Sequence, residues 1–238
     1  MVTSQYLNSI RLNNIGVSLL QRRSFGLAMV TFRDALRILR ACCPRDQSLP
    51  VAGGQEDLSE VLFQRALERV ENVVVDPLDV IVSHVSFDEV ECDIDMVSTL
   101  LRSPLHEFVF MALQINEDAE LEHDMNAESA IILHNFALAN VCVAKLQGTE
   151  RNLSSAVYLW RCATKVLANS IAEEIVGSYE EENLLFLWGL LLRNLTTVLQ
   201  TLGEIESSQE YARALTLVFR PVDDLSLFPA DAVAAPAA

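Results

Sequence analysis

Three stretches of the chain carry the same spaced pattern of small and aromatic residues across two consecutive helical segments. In each stretch the first segment has a small residue, and the next segment has small, aromatic and small residues at offsets of 0, 4 and 7. Small residues let two helix backbones approach closely, and the aromatic fills the space against the next helix. Hairpins of this kind cannot bury an apolar face alone and must stack. In chain order the sets are Asn14-Ile15-Gly16 with Ala28, Phe32 and Ala35; Asn135-Phe136-Ala137 with Ala156, Trp160 and Ala163; and Asn194-Leu195-Thr196 with Ser207, Tyr211 and Ala214.

Helical periodicity extends over most of the chain. Short polar links, Gln21 to Ser24 in the first hairpin and a tight turn from Glu204 to Ser208 in the last, predict antiparallel helical hairpins. With only 8 Gly and 7 Pro in 238 residues, the chain has too few turn-formers for a many-stranded sandwich. The sequence therefore predicts a mainly α protein. Apolar residues recur at helical spacing over residues 5–21, 25–41, 56–71, 127–146, 153–168, 181–202 and 205–219.

Residues 73–124 have a different character. Val73 to Val75 and Val80 to Phe87 are rich in β-branched residues, and Glu107 to Ile115 is aromatic and apolar, which predicts short strands paired as a two-stranded β-hairpin. The acidic runs 88–95 and 116–124 are expected to be solvated loops. We therefore expect one domain over 1–238, whose parts are a first helical hairpin (1–43), an acidic insertion with a helix and the strands (44–125), two further hairpins (126–220) and a tail (221–238).

The repeated pattern resembles the tetratricopeptide repeat. The first hairpin is the best match, because Gly16 to Ala28 is twelve residues, which is the spacing of that repeat. In the second hairpin the spacing is nineteen, which indicates seven residues inserted in the turn, and in the third it is eleven. The resemblance covers about half of the chain and implies a divergent α-solenoid of stacked hairpins interrupted by the acidic insertion.

The resemblance also implies a site, because in that family the first helix of each hairpin lines a concave groove that binds peptides. The lining carried over to this chain is apolar to neutral with one Arg, and it lacks the Lys residues and the Asn with which some members hold a C-terminal carboxylate. An amphipathic helix or an extended apolar segment is therefore the expected ligand. The alternative is that the acidic insertion fills the groove and makes the same residues part of the core. The groove residues are Asn13, Val17, Leu20, Gln21, Ile131, His134, Leu138, Val141, Arg193 and Thr197, with Cys142, Gln200 and Thr201 beside them.

Charge is distributed unevenly along the chain. The net charge is −16, yet residues 1–45 hold seven Arg and one acid, whereas residues 46–128 hold twenty acids and three Arg. An acidic balance of this size disfavours non-specific binding to nucleic acid or anionic lipid. We expect the basic hairpin to lie against the acidic insertion. The leading hypothesis is an adaptor that binds a protein or peptide partner. The alternatives are a structural subunit that docks through its acidic segment, and a nucleic-acid binder acting through Arg22, Arg23, Arg33, Arg37 and Arg40.

The sequence offers no convincing reaction. The motifs GxGxxG, GxxxxGK[ST], GxSxG and HExxH are absent, and His123, Asp124 and Glu128 make at most a partial metal site. We therefore expect a non-enzyme without cofactor or metal. Five Cys residues without a CxxC pair favour reduced thiols and an intracellular protein, with the cytoplasm favoured over the nucleus. The longest apolar run, Leu184 to Leu192, is well short of the roughly 20 residues that cross a membrane.

Overall fold

A computed structural model describes residues 4–42, 55–71, 81–85, 108–118, 123–173 and 180–218. Over these residues the chain is mainly helical, which confirms the prediction of a mainly α protein. The predicted strand at Val73 to Val75, the acidic run 88–95 and the tail 221–238 lie outside the described residues. The elements are α1 (Ser4–Gln21), α2 (Phe25–Cys42), α3 (Gln55–Glu71), β1 (Ile81–Val85), β2 (Met111–Ile115), α4 (Met125–Gln147), α5 (Glu150–Glu173), α6 (Glu180–Thr201) and α7 (Ile205–Val218).

Three pairs of helices are joined by links of two or three residues, which makes each pair antiparallel. Each link contains one residue in the left-handed region that reverses the chain: Arg23 (φ 56°), Gly148 (φ 65°) and Gly203 (φ 77°). The last turn therefore lies at residues 202–204, and the expectation that it runs from Glu204 to Ser208 was wrong, because α7 has already begun at Ile205.

The hairpins pack in chain order. Helix α2 packs against α4, and α5 packs against α6, so each hairpin contacts the next one, while α3 packs against α1. The Phe32 ring is fully buried against Gly16, where a Cβ would approach the ring to 2.4 Å. This contact gives the small residue of the first hairpin its physical role, since any side chain there meets the aromatic.

Two irregular spacings have structural explanations. The seven extra residues of the second hairpin are not in its turn, which is only Gly148 and Thr149, but lengthen α4 and α5 to 23 and 24 residues. Seven residues make about two helical turns, so the faces that pack are preserved.

In the third hairpin the buried small residue is Ser208, whose hydroxyl donates to the Thr196 carbonyl at 3.1 Å. The spacing from Thr196 to Ser208 is twelve, so the assignment of Ser207 was off by one residue.

The two strands form a parallel pair, in which Ile81 lies opposite Met111 and Val85 opposite Ile115. The predicted β-hairpin was therefore wrong, because hairpin strands are antiparallel and parallel strands require a longer connection. Strand β2 packs against α1 and α4, and Met111, Ala112, Leu113 and Ile115 are all buried.

Polar contacts hold the acidic insertion to the basic hairpin at several points. Arg22 donates to the Val70 carbonyl at 2.6 Å, and Arg11 lies 3.5 Å from the Glu117 carboxylate. Conversely, Arg69 of α3 approaches the buried Asp34 of α2 at 3.8 Å.

Two stretches, Met125–Gln147 and Asn183–Thr201, are long and apolar enough to cross a membrane by length and composition alone. Most of each stretch is buried inside the fold. Core helices pass the same test, so this observation is weak evidence for a membrane span.

Candidate functional site

The first helix of each hairpin carries two adjacent polar residues just before the repeated small residue. The pairs are Asn13-Asn14 on α1, His134-Asn135 on α4 and Arg193-Asn194 on α6. Asn14 is partly buried and the other five are buried. Buried amides and imidazoles are costly without hydrogen-bond partners, so this placement requires acceptors and donors close by.

One asparagine from each pair binds the main chain of residues 109–115. We call these residues the groove segment, and we call the three side chains that bind it the asparagine ladder: Asn14, Asn135 and Asn194. Each Asn accepts from one main-chain N–H and donates to the carbonyl of the same residue. For Ile115 and Asn14 the distances are 2.9 and 2.8 Å, for Leu113 and Asn135 they are 2.9 and 2.7 Å, and for Val109 and Asn194 they are 3.0 and 3.2 Å. One side-chain amide thus satisfies both main-chain groups of a residue.

Asn13 and His134 add donors between these clamps. Asn13 donates to the Leu113 carbonyl at 3.1 Å and accepts from the Asn135 amide at 2.8 Å. His134 Nε2 lies 2.8 Å from the Met111 carbonyl. The indole of Trp160, which can only donate, lies 3.0 Å from His134 Nδ1. His134 Nδ1 therefore accepts, and Nε2 carries the proton that is donated to Met111.

Burial fixes the charge of this histidine. Desolvation lowers the pKa of His134 to about 4, and the hydrogen bond to the Met111 carbonyl opposes this only in part. The imidazole is therefore neutral at pH 7, in the tautomer that the segment needs.

The groove segment directs the main-chain groups of its odd-numbered residues toward the ladder and His134. Because successive residues of a strand direct their main-chain groups to opposite edges, residues 112 and 114 are left to face β1. Strand β2 therefore has main-chain partners on one edge and side-chain amides on the other. The side chains of Phe108 and Phe110 lie beside Lys145, whose ammonium is 5.3 and 4.2 Å from the two ring centroids.

The structure brings two of the predicted groove residues, Asn13 and His134, onto the groove segment. The others are on the same three helices, where Gln21 is partly buried, Gln200 and Thr201 are exposed, and the remaining ones are buried. The buried ones are Val17, Leu20, Ile131, Leu138, Val141, Cys142, Arg193 and Thr197.

The asparagine ladder was not predicted from the sequence. The signal was present, because an Asn stands two positions before the small residue in all three hairpins. Only the small residue was given a role there, since nothing local in the sequence says what a helical Asn binds.

A second polar cluster anchors the chain that follows the groove segment. The buried carboxylate of Glu128 accepts from the Tyr6 hydroxyl and lies 2.6 Å from His123 Nδ1, while His123 Nε2 is 2.9 Å from the Asp118 carbonyl. Burial raises the pKa of Glu128, and the hydrogen bonds from Tyr6 and His123 lower it in part. Burial and the Glu128 charge also raise the pKa of Tyr6.

An open pocket of about 430 Å³ lies between α1, α3 and the end of β2. Its lining includes Arg11, Phe63 and Glu117, and the Arg11 guanidinium is 5.8 Å from the Phe63 ring centroid. His123 and Glu128 do meet, as the sequence suggested for a partial metal site. Within the described parts of the chain, however, no group of three His, Cys, Asp or Glu side chains is placed to hold a metal ion.

Comparison of the chain with profiles of known protein families, with curated proteins and with solved structures gave no match. Function is therefore inferred from the contacts of residues 109–115 with α1, α4 and α6.

Proposed function

We propose that this protein is a non-catalytic adaptor that binds an extended segment of a protein partner in the groove between α1, α4 and α6. The hairpin spacing of twelve in the first and third hairpins, the Phe32 contact with Gly16 and the chain-order packing all support a divergent tetratricopeptide-like α-solenoid. In such an array the first helices share one face, and it is this face that carries the asparagine ladder.

The asparagine ladder is the observation that carries the proposal. A side-chain amide that pairs with the N–H and carbonyl of one residue recognises an extended main chain regardless of its side chains. Main-chain hydrogen bonds supply affinity and pockets for alternate side chains supply specificity in strand-type peptide recognition. Three such amides along about seven residues give the groove the chemistry of a peptide site. No cofactor or metal is needed for this activity.

The test is selection of displayed nine-residue peptides on the full chain, followed by photo-cross-linking of a selected peptide. We expect selected peptides to cross-link to α1, α4 or α6, whereas a scrambled peptide of the same composition does not. A failure to select any peptide, or cross-links confined to other helices, would contradict the proposal. In that case the groove segment is a permanent part of the core, and the alternative of a structural subunit that docks through its acidic segment becomes the better explanation.

A further inference from the structure

We propose that the groove segment is an exchangeable occupant of the groove, and that the partner displaces it with an extended segment of matching pattern. This inference rests on the proposed function and names both the regulation of the groove and the chemistry of its ligand.

The first step is that the helices recognise the main chain of the segment. The ladder, Asn13 and His134 accept from three N–H groups and donate to four carbonyls of Val109, Met111, Leu113 and Ile115, which makes seven main-chain groups. Another chain in the same extended conformation can offer the same seven groups. These hydrogen bonds therefore do not distinguish the protein's own segment from a foreign one.

The second step is that the groove is unfavourable when empty. Asn13, Asn135 and Asn194 are fully buried in the filled groove, and the amide of each donates to a carbonyl of the segment. Removing the segment without replacement leaves several buried polar groups without partners, which is costly. Replacement of one strand by another preserves these bonds, so exchange is favoured over opening.

The third step is the pattern of the ligand, which the groove segment itself defines. Val109, Met111, Leu113 and Ile115 are buried, so positions 1, 3, 5 and 7 are apolar. Ala112 is fully buried, so position 4 is small. Phe110 at position 2 faces Lys145, and Glu117 at position 9 pairs with Arg11 and accepts from Asn14 at 2.9 Å.

The ladder also excludes proline from some positions of the ligand. The N–H groups of Val109, Leu113 and Ile115 all donate to asparagine side chains. Proline has no N–H, so we expect ligands to lack proline at positions 1, 5 and 7. Proline at position 3 is not excluded by these bonds, since only the carbonyl of Met111 is bound by His134.

Competition by the tethered segment sets the affinity. A tethered segment acts at an effective concentration of about millimolar or more, so it reduces the apparent affinity of a free peptide that makes the same contacts. Weakening the tethered segment should tighten binding of the free peptide by the same factor. Truncation of a buried Leu in the tethered segment should raise the apparent affinity for the free peptide by a factor of about 30 or more.

The experiment measures anisotropy of a fluorescein-labelled peptide with the sequence of residues 107–118 against three full-length chains. These are the wild type, Leu113→Ser, which weakens the tethered segment, and Leu146→Ser, a matched control because Leu146 is 74% exposed. We expect Leu113→Ser to bind the peptide about 30-fold or more tighter than the wild type and Leu146→Ser. A peptide with proline at the position of Leu113 should bind none of the chains.

The outcomes separate the two proposals. Equal binding to wild type and Leu113→Ser overturns displacement but leaves peptide binding intact, whereas no binding to any folded chain overturns both. If Leu113→Ser does not fold, hydrogen exchange of the wild type decides. Excess unlabelled peptide should then speed exchange of the protein's own amides at 109, 113 and 115 at least several-fold, and unchanged exchange overturns displacement.

Discussion

Replacement of Asn135 by Ala tests the asparagine ladder at its centre. The change removes the acceptor of the Leu113 N–H and the donor to Asn13 Oδ1, both of which are buried. The Leu113 carbonyl keeps its bond from Asn13 at 3.1 Å. Two buried groups therefore lose their partners, and each costs about 1–3 kcal/mol. We expect Asn135→Ala to lower the free energy of unfolding by about 4 kcal/mol.

Asn140→Ala is the matched control. Asn140 lies on the same helix and is also buried, but its amide donates at 2.9 Å to the Phe136 carbonyl within the helix. That carbonyl already has a helical partner, so the substitution leaves no main-chain group unsatisfied. We expect a loss of about 1 kcal/mol or less.

Urea and thermal unfolding, each followed by circular dichroism at pH 7, measure the stability of both variants. At roughly 2–4 °C per kcal/mol, thermal midpoints should fall by about 8–16 °C for Asn135→Ala and by a few degrees for the control. A double-mutant cycle with Asn13→Ala adds a second readout, because the two side chains share a bond and should be non-additive by about 1 kcal/mol or more. Equal losses for Asn135→Ala and Asn140→Ala, together with additivity in the cycle, would refute the reasoning that these amides hold the groove segment.

Three further predictions follow from the packing and the buried polar groups. Gly16→Ala should destabilise the fold by about 1–3 kcal/mol despite the better helix propensity of Ala, because the new Cβ meets Phe32; the same urea assay measures it. The pKa of His134 is about 4 in the folded chain, below the ordinary value of 6.5 expected in the unfolded chain. Between these values the unfolded chain binds more protons, so the free energy of unfolding falls as the pH drops from about 6.5 to 4. This loss amounts to roughly 3 kcal/mol and should be absent from a His134→Gln variant in urea titrations across that range. Tyr6→Phe removes a donor to Glu128 and should cost about 2 kcal/mol at pH 7. Because the pKa of the Glu128 carboxyl is already raised and should rise further in this variant, the cost should be smaller at pH 5, and a cost independent of pH would contradict this assignment.

The helices could be predicted from the sequence because their signals are local. Apolar periodicity placed all seven described helices, and runs of β-branched, aromatic and apolar residues placed the two strands within the segments where they occur. The parallel pairing of Ile81 with Met111 could not be predicted in this way, because no local turn specifies it and the strands are 25 residues apart. The contact of Tyr6 with Glu128 spans 122 residues and follows no sequence period.

The groove was predictable only in part, for the same reason. The repeat spacing pointed to the three helices that contact residues 109–115 and to two of the side chains that bind this segment, Asn13 and His134. It left open what fills the groove, because apolar burial is non-directional and favours a foreign segment and the protein's own segment alike. Hydrogen bonds are directional, and the register of residues 109, 113 and 115 against the ladder is set by them.

The repeated triplet therefore combines two physical roles on two sides of one helix. In Asn14-Ile15-Gly16 the glycine faces Phe32 of its own hairpin, whereas the asparagine faces the groove segment. Residues two apart on a helix do not share a face, so one triplet can serve packing and binding without conflict. Packing requires only that the third residue be small, and Gly, Ala and Thr all occur there. Packing places no demand on the first residue, yet it is Asn in all three hairpins, and the main-chain bonds of the groove segment give a physical reason for that identity.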